Sequence, residues 1–166
     1  MADTDFTLTK DYLHQIFDYK DGNLFFKIKI GSRGLIGKKA GSFTKTGYFH
    51  TKIKGKCYLI HRLIFMMFYG HLPKEIDHIN GIRTDNRIEN LRSATTSQNQ
   101  QNAKLRKDNK SGIKGVHWNK KDKIYKVELR FNKKIKYIGS FKYLELAELA
   151  AQEARDKYHG KFARHN

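Results

Sequence analysis

The run NAKLRKDNKSG, from Asn102 to Gly112, is nearly free of apolar residues and dense in charge and amide. A stretch of this kind has no face to bury, so no helix or strand of a folded core continues through it. Apolar patterning lies on both sides, and the chain is therefore expected to build two cores. Its 166 residues suit one ordinary domain or two small ones, and 39% hydrophobic with 13% aromatic residues can fill such cores. The expected division is a first module at 1–105, a linker at 106–110 and a second module at 111–166. The lone cysteine, Cys57, excludes an internal disulfide and any cysteine-based zinc cluster, so apolar burial must hold both modules.

Charge narrows the partner. A net charge of +18 favours a polyanion, foremost nucleic acid. The acids Asp3, Asp5, Asp11, Asp18 and Asp21 gather at the head, which leaves both later regions basic. A basic membrane-surface protein is the competing class. Against it, no run approaches the roughly 18 apolar residues of a span, and the start MADTDFTLTK is acidic and polar, without signal or lipidation pattern. The expectation is a cytoplasmic protein with no membrane contact and no implied protein partner.

In the first module, Leu8, Tyr12, Leu13, Ile16 and Phe17 recur at helical spacing after Thr7 or Thr9 as a cap. Asp21-Gly22-Asn23 is a turn signal, and residues 24–30, LFFKIKI, alternate as a strand. Glycines at 31, 34, 37, 41 and 47 punctuate the next segment. YFHTKI and KCYLI then form two strands joined at Gly55 in a small antiparallel sheet. HRLIFMMFYG places Leu63, Ile64, Met67 and Phe68 on one helical stripe that ends at Gly70 as a C-cap. His50, His61 and His71 are expected to satisfy local hydrogen bonds rather than to bind metal.

EIDHI reads as a strand, NGIRTDNRIEN as a loop, LRSAT as a second strand and TSQNQQNAKLR as a helix capped by Thr96 or Ser97. This order can bring Asp77 and His78, at a strand end, against a first helical turn bearing Asn99. HRLIFMMFYG followed by IDHINGIRTDNRIENLRSATTSQNQQN resembles the HNH endonucleases of the phage and homing type, in which the last histidine is replaced by asparagine. His78, Asn90 and Asn99 fall twelve and nine residues apart, with an acid just before the histidine. The resemblance implies a ββα-metal (His-Me finger) nuclease module preceded by N-terminal antiparallel strands. It implies His78 as the general base, a role that suits an imidazole with a pKa near ~6.5. It implies Asp77 and Asn99 as oxygen ligands of one divalent cation, Mg2+ or Mn2+ rather than zinc, with Asn102 a rival to Asn99. Asn90, placed with His78 in the catalytic motif, would brace the loop through its amide. Arg62 and Arg92 are candidate phosphate clamps.

The second module opens with turn signals at Ser111-Gly112 and Gly115, and Val116 and Trp118 alternate with His117 as in a strand. In IYKVELRF, Tyr125, Val127, Leu129 and Phe131 share one face and Lys126, Glu128 and Arg130 the other. KKIKYIGSF makes a third strand. A helix from about Tyr143 to Tyr158 aligns Leu144, Ala147, Ala151, Ala154 and Tyr158. The result is a three-stranded antiparallel sheet packed on one helix, with one charged face left open. Through GIKGVHW, YKVELR, YIGSF, the alanine-rich helix and HGKFARHN, residues 111–166 resemble the APETALA2-type DNA-binding domain. That resemblance implies contact with double-stranded DNA through Lys114, His117, Trp118, Lys126, Glu128, Arg130 and Lys136.

The sequence thus predicts an α+β protein with the activity of a metal-dependent, site-directed DNA endonuclease of the phage homing type. A DNA-binding regulator with a decayed nuclease motif is the alternative, and an RNA-binding protein a third, disfavoured because the aromatic residues show no base-stacking arrangement.

Overall fold

The computed structural model describes residues 8–31 and 35–165. Asp3, Asp5, Thr7, Gly34 and Asn166 lie outside the described residues. The chain divides into two compact units, Met1–Ser93 and Ala94–Asn166.

In the first unit the Thr9 hydroxyl accepts the Tyr12 amide and starts α1 (Lys10–Ile16), which buries Leu13 and Ile16. Phe17, expected on the helical stripe, begins β1 (Phe17–Lys20) instead. It turns to extended geometry and faces Phe26 of β2 (Asn23–Phe26), with the rings 5.2 Å apart. The pairing of two large rings across a tight hairpin wins over one more helical residue. Positive φ at Asp21 (47°) and Gly22 (78°) makes that turn. The strand expected over 24–30 stops at Phe26. Beyond it the Lys27 amide donates to Ile16 O at 2.9 Å, and Ile28 is exposed.

β3 (Ser42–Phe43), β4 (Phe49–Ile53) and β5 (Lys56–Leu59) form an antiparallel sheet in that order. α2 (Ile60–Tyr69) comes next and ends on Gly70, which adopts the left-handed φ of 73° and donates to Met66 O. Leu63, Ile64 and Met67 are buried as the stripe requires, but Phe68 is 41% exposed. It sits at the margin of the stripe, with its ring 4.9 Å from that of Tyr19 in an edge-to-face pair. Leu13, Ile16, Phe17 and Leu24 pack with Leu63 and Ile64 as the core of this unit. On this core rest β6 (Glu75–His78) and its partner β7 (Leu91–Ala94), separated by a loop that closes with a 3-10 turn at Ile88–Asn90.

The second unit begins ahead of α3 (Thr96–Gln101). The cap is Thr95, one residue before those expected, because only there can Gln98 complete a reciprocal box. Thr95 Oγ1 accepts the Gln98 amide while Gln98 Oε1 accepts the Thr95 amide. The polar run at 106–110 suggested a break after this helix, but Lys114 Nζ donates to Gln101 O and Ala103 O, both at 2.6 Å, and so ties α3 to the segment beyond that run. β8 (Val116–Asn119), β9 (Ile124–Phe131) and β10 (Lys134–Phe141) form an antiparallel sheet in the order β10-β9-β8. Asn132 and Lys133, both at positive φ, make the tight turn between β9 and β10. α4 (Leu144–His159) lays Ala147, Ala151 and Ala154 against this sheet, and the small side chains let Val116 and Val127 approach closely.

Candidate active site

Strand β6 carries Asp77 and His78 to its end, and both are buried, at 3% and 5% exposure. The chain then turns at once, the Gly81 amide donating to His78 O, into the loop that leads to β7. Polar side chains hold this loop where apolar packing cannot. Asn90 Oδ1 accepts the Asn80 amide at 3.0 Å, while Asn90 Nδ2 donates to Asn80 Oδ1 and to Asp85 O. Asn80 in turn donates to Asp85 at 2.7 Å, and Arg87 clamps both oxygens of that carboxylate at 2.8 and 2.7 Å. The Arg87 hydrogen bonds hold the Asp85 carboxyl down at about 2, so this brace stays ionised at any working pH.

The braced loop delivers Asn86 to the imidazole. Asn86 Oδ1 lies 3.1 Å from His78 Nε2 in a buried contact. An amide oxygen only accepts, so the proton sits on Nε2, and the lone pair of the neutral ring falls on Nδ1. Burial lowers the His78 pKa from 6.5, with the Asn86 hydrogen bond and the Asp77 charge opposing it. The ring is therefore neutral near pH 7. Its second wall is His61 of α2, edge-on with centroids 5.1 Å apart, and Tyr48 lies 5.1 Å from His61. Desolvation and the neighbouring His78 push His61 down to about 3. Arg83 covers Tyr48 at 5.0 Å and donates to Thr46 O at 2.8 Å.

The hairpin before β3 supports the loop from below. Tyr19 Oη accepts the Ile88 amide at 3.1 Å. Gly22 meets the loop backbone so closely that a Cβ there would stand 2.7 Å from Arg87 N and 2.9 Å from the Asn86 carbonyl carbon.

Asp77 pairs with Arg92, whose Nε and Nη2 both reach Asp77 Oδ2 at 2.7 Å. Arg92 is thus an internal counterion in this structure rather than an outward clamp. Arg62 donates to the carbonyls of Pro73 and Lys74 and supports the entry to β6. Asn99 lies in α3 of the second unit, its amide donating to Thr95 O. Asn102 is buried at the end of that helix. Among the described residues no group of three or more His, Cys, Asp or Glu side chains is placed to hold a metal ion. The donor beside His78 is a single hard carboxylate. That fits Mg2+ or Mn2+, which take one or two protein carboxylates and complete their shell with water and phosphate oxygens.

In the second unit, register sorts the expected DNA contacts. His117 faces Lys126, and with Glu128 and Arg130 these occupy the face turned away from α4. Trp118 faces Tyr125 and Lys136 faces Leu129, so both belong to the α4 side, and Lys136 lies 4.4 Å over the Tyr158 ring. Trp118 is nonetheless 46% exposed, because its place near the end of an edge strand lies beyond the cover of the helix. Lys114 holds α3 through its bonds to Gln101 O and Ala103 O, and burial lowers its pKa to about 8.

Asn86, His61 and Tyr48 were not singled out from the sequence as parts of the site. Asn86 sits in a loop without periodicity, and only its place after Asp85 in a run of polar residues hints at a structured turn.

The strand-end Asp77-His78 pair and the loop braced by Asn90 lie within the segment for which the comparisons with known proteins find a match. Residues 58–101 match the family described as HNH endonuclease. Protein 3.8 of Escherichia phage T7 is 34% identical over 99 residues, which cover 57% of this chain and 79% of that protein. The chain belongs to the family of Protein 3.8, with an HNH endonuclease segment at its centre. No solved structure matches it. No helix among the described residues is long and apolar enough to cross a membrane.

Proposed function

We propose that the protein is a metal-dependent, site-directed DNA endonuclease of the phage homing type, acting in the cytoplasm of a bacterial host. The observation that carries this reading is the buried His78–Asn86 hydrogen bond beside Asp77, inside the segment that matches HNH endonucleases. His78 Nδ1 takes the proton of an attacking water, and Asn86 fixes the ring and its tautomer for that transfer. Asn90 is a positioning residue that acts through the loop. Asp77 would hold Mg2+ or Mn2+ through its carboxylate. The bound cation supplies charge stabilisation at the scissile phosphate and the departing 3′ oxygen.

The second unit is the DNA-addressing part. Its three-stranded sheet and covering helix support the APETALA2-like reading, and the open face with His117, Lys126, Glu128 and Arg130 meets double-stranded DNA. The alternative, a DNA-binding regulator without catalysis, draws on one observation: Arg92 already occupies Asp77 Oδ2. Supercoiled plasmid incubated with and without Mg2+ separates the two. Metal-dependent nicked or linear product establishes the endonuclease, and its absence at every Mg2+ and Mn2+ level leaves the regulator.

A further inference from the structure

A groove of about 1100 Å3 lies wholly within the second unit, and its lining joins His117, Glu128 and Arg130 of the open sheet face to Trp118, Tyr125 and Arg155. One wall is aromatic, with Trp118 and Tyr125 rings 4.7 Å apart and Trp118 46% exposed. Its rim is basic, with Arg106, Lys110 and Lys120 outnumbering the acids Asp108 and Glu128. Arg155 and His159 of α4 reach the lining from the interior.

Arg155 is the unusual member. It is 1% exposed, yet its partners among the described residues are uncharged acceptors, Lys114 O at Nη1 and His165 Nδ1 at Nε. Nη2 has no partner, and neither has Nδ1 of His159. A buried guanidinium is costly without an anion, and an unmade hydrogen bond adds to that cost. An anionic group entering the groove would relieve both. An aromatic wall, a basic rim and a cation waiting on the floor are the three elements by which proteins hold an unpaired strand, stacking its bases while drawing in its phosphates.

We propose that this groove binds single-stranded DNA, with a base stacked on Trp118 and a phosphodiester drawn to Arg155. The choice of DNA over RNA rests on the reading of the protein as a DNA endonuclease. A duplex does not fit these elements. Its bases are already stacked and offer no free face to Trp118. The two surfaces share His117, Glu128 and Arg130, while Trp118 and Arg155 serve the separated strand and Lys126 lies outside the groove's lining.

Trp118 is the one tryptophan of the chain, so its fluorescence reports on the groove alone. The full-length protein is titrated with an oligothymidylate about twelve nucleotides long, its ribo-uridine counterpart and a duplex of equal length, with anisotropy of labelled DNA in parallel. The oligothymidylate is expected to quench Trp118 saturably, and the duplex to bind without comparable quenching. Trp118→Leu should weaken single-strand binding about tenfold and leave duplex binding nearly unchanged, while Lys126→Ala does the reverse. Should Arg155→Gln fail to fold, Trp118→Leu on the surface still decides. Equal quenching by the duplex, unaltered single-strand affinity in Trp118→Leu, or tighter binding of the ribo-oligomer overturns the inference. Loss of the duplex reading shows separately, as no anisotropy change with duplex while the single strand still quenches.

Discussion

Asn86 and His78 are joined side chain to side chain across a buried 3.1 Å contact that assigns the imidazole proton to Nε2. Nothing else in the centre is so directly tied to its chemistry, since a ring in the other tautomer would turn a proton, not a lone pair, toward the water. Asn86→Ala is expected to fold normally and to cut more slowly, by about ten- to a hundredfold, through the loss of a positioning contact. Asn86→Asp restores the acceptor and adds a charge that raises the His78 pKa, so its acid limb of the pH–rate profile should move upward. A variant with neither change would remove Asn86 from the mechanism.

His78→Ala should reduce cleavage by roughly 10²–10⁴-fold while DNA binding persists, because a general base contributes to rate and not to phosphate contact. Gel-shift and plasmid assays on the same preparation check both halves.

The pH dependence has a definite sign. A base acts deprotonated, and burial places the His78 pKa below 6.5, so activity should hold as pH falls to that value and decline only further down. Stability carries a separate signature from His61. Its folded pKa of about 3 is below its unfolded value of 6.5, so between them the unfolded chain binds the extra proton. The His61 contribution is complete above 6.5 and is lost as pH drops toward 3, at no more than about 1.4 kcal/mol per pH unit. Urea melts across this range should show a shallower slope for His61→Phe.

Arg92→Met leaves the buried Asp77 carboxylate without its counterion and should cost about 3 kcal/mol of stability, read as a lowered urea midpoint. Asp77→Asn should be far milder in stability but should raise the Mg2+ concentration for half-maximal cleavage. Chelation by EDTA should stop cleavage of wild type without releasing the DNA.

On the open sheet face, the double variant Lys126→Ala/Arg130→Ala removes two cations. The slope of log affinity against log salt for duplex DNA should then flatten by about 1.8. An unchanged slope places the duplex elsewhere.

Much of this was legible from pattern alone. The stripe of α2 and the alternation in β9 announced their buried faces, whereas Asp77, His78 and Asn90 were joined into one site only through the resemblance to HNH endonucleases. Legibility failed where the deciding interaction is remote in sequence or lies at the end of an element. Phe17 left its helix for a cross-strand ring pair, and Thr95 took the cap because Gln98 was in reach. Trp118, expected by resemblance among the duplex contacts, lies on the α4 side of its strand, and no local pattern shows that the covering helix fails to reach it. His61 was expected only to satisfy a local hydrogen bond, because its neighbour, His78, arrives only through the folding back of β6.

The contact of Gly22 with the Asn86–Arg87 backbone extends the centre well beyond its recognisable segment. The segment that matches the HNH family spans 58–101. Transplanted alone, it would arrive without the turn on which its loop rests and without the Tyr19 hydroxyl that receives Ile88. The structural unit is therefore longer than the signature. It begins at the β1–β2 hairpin, and a chimera joined inside that hairpin inherits the residues of the motif without the seat that holds them.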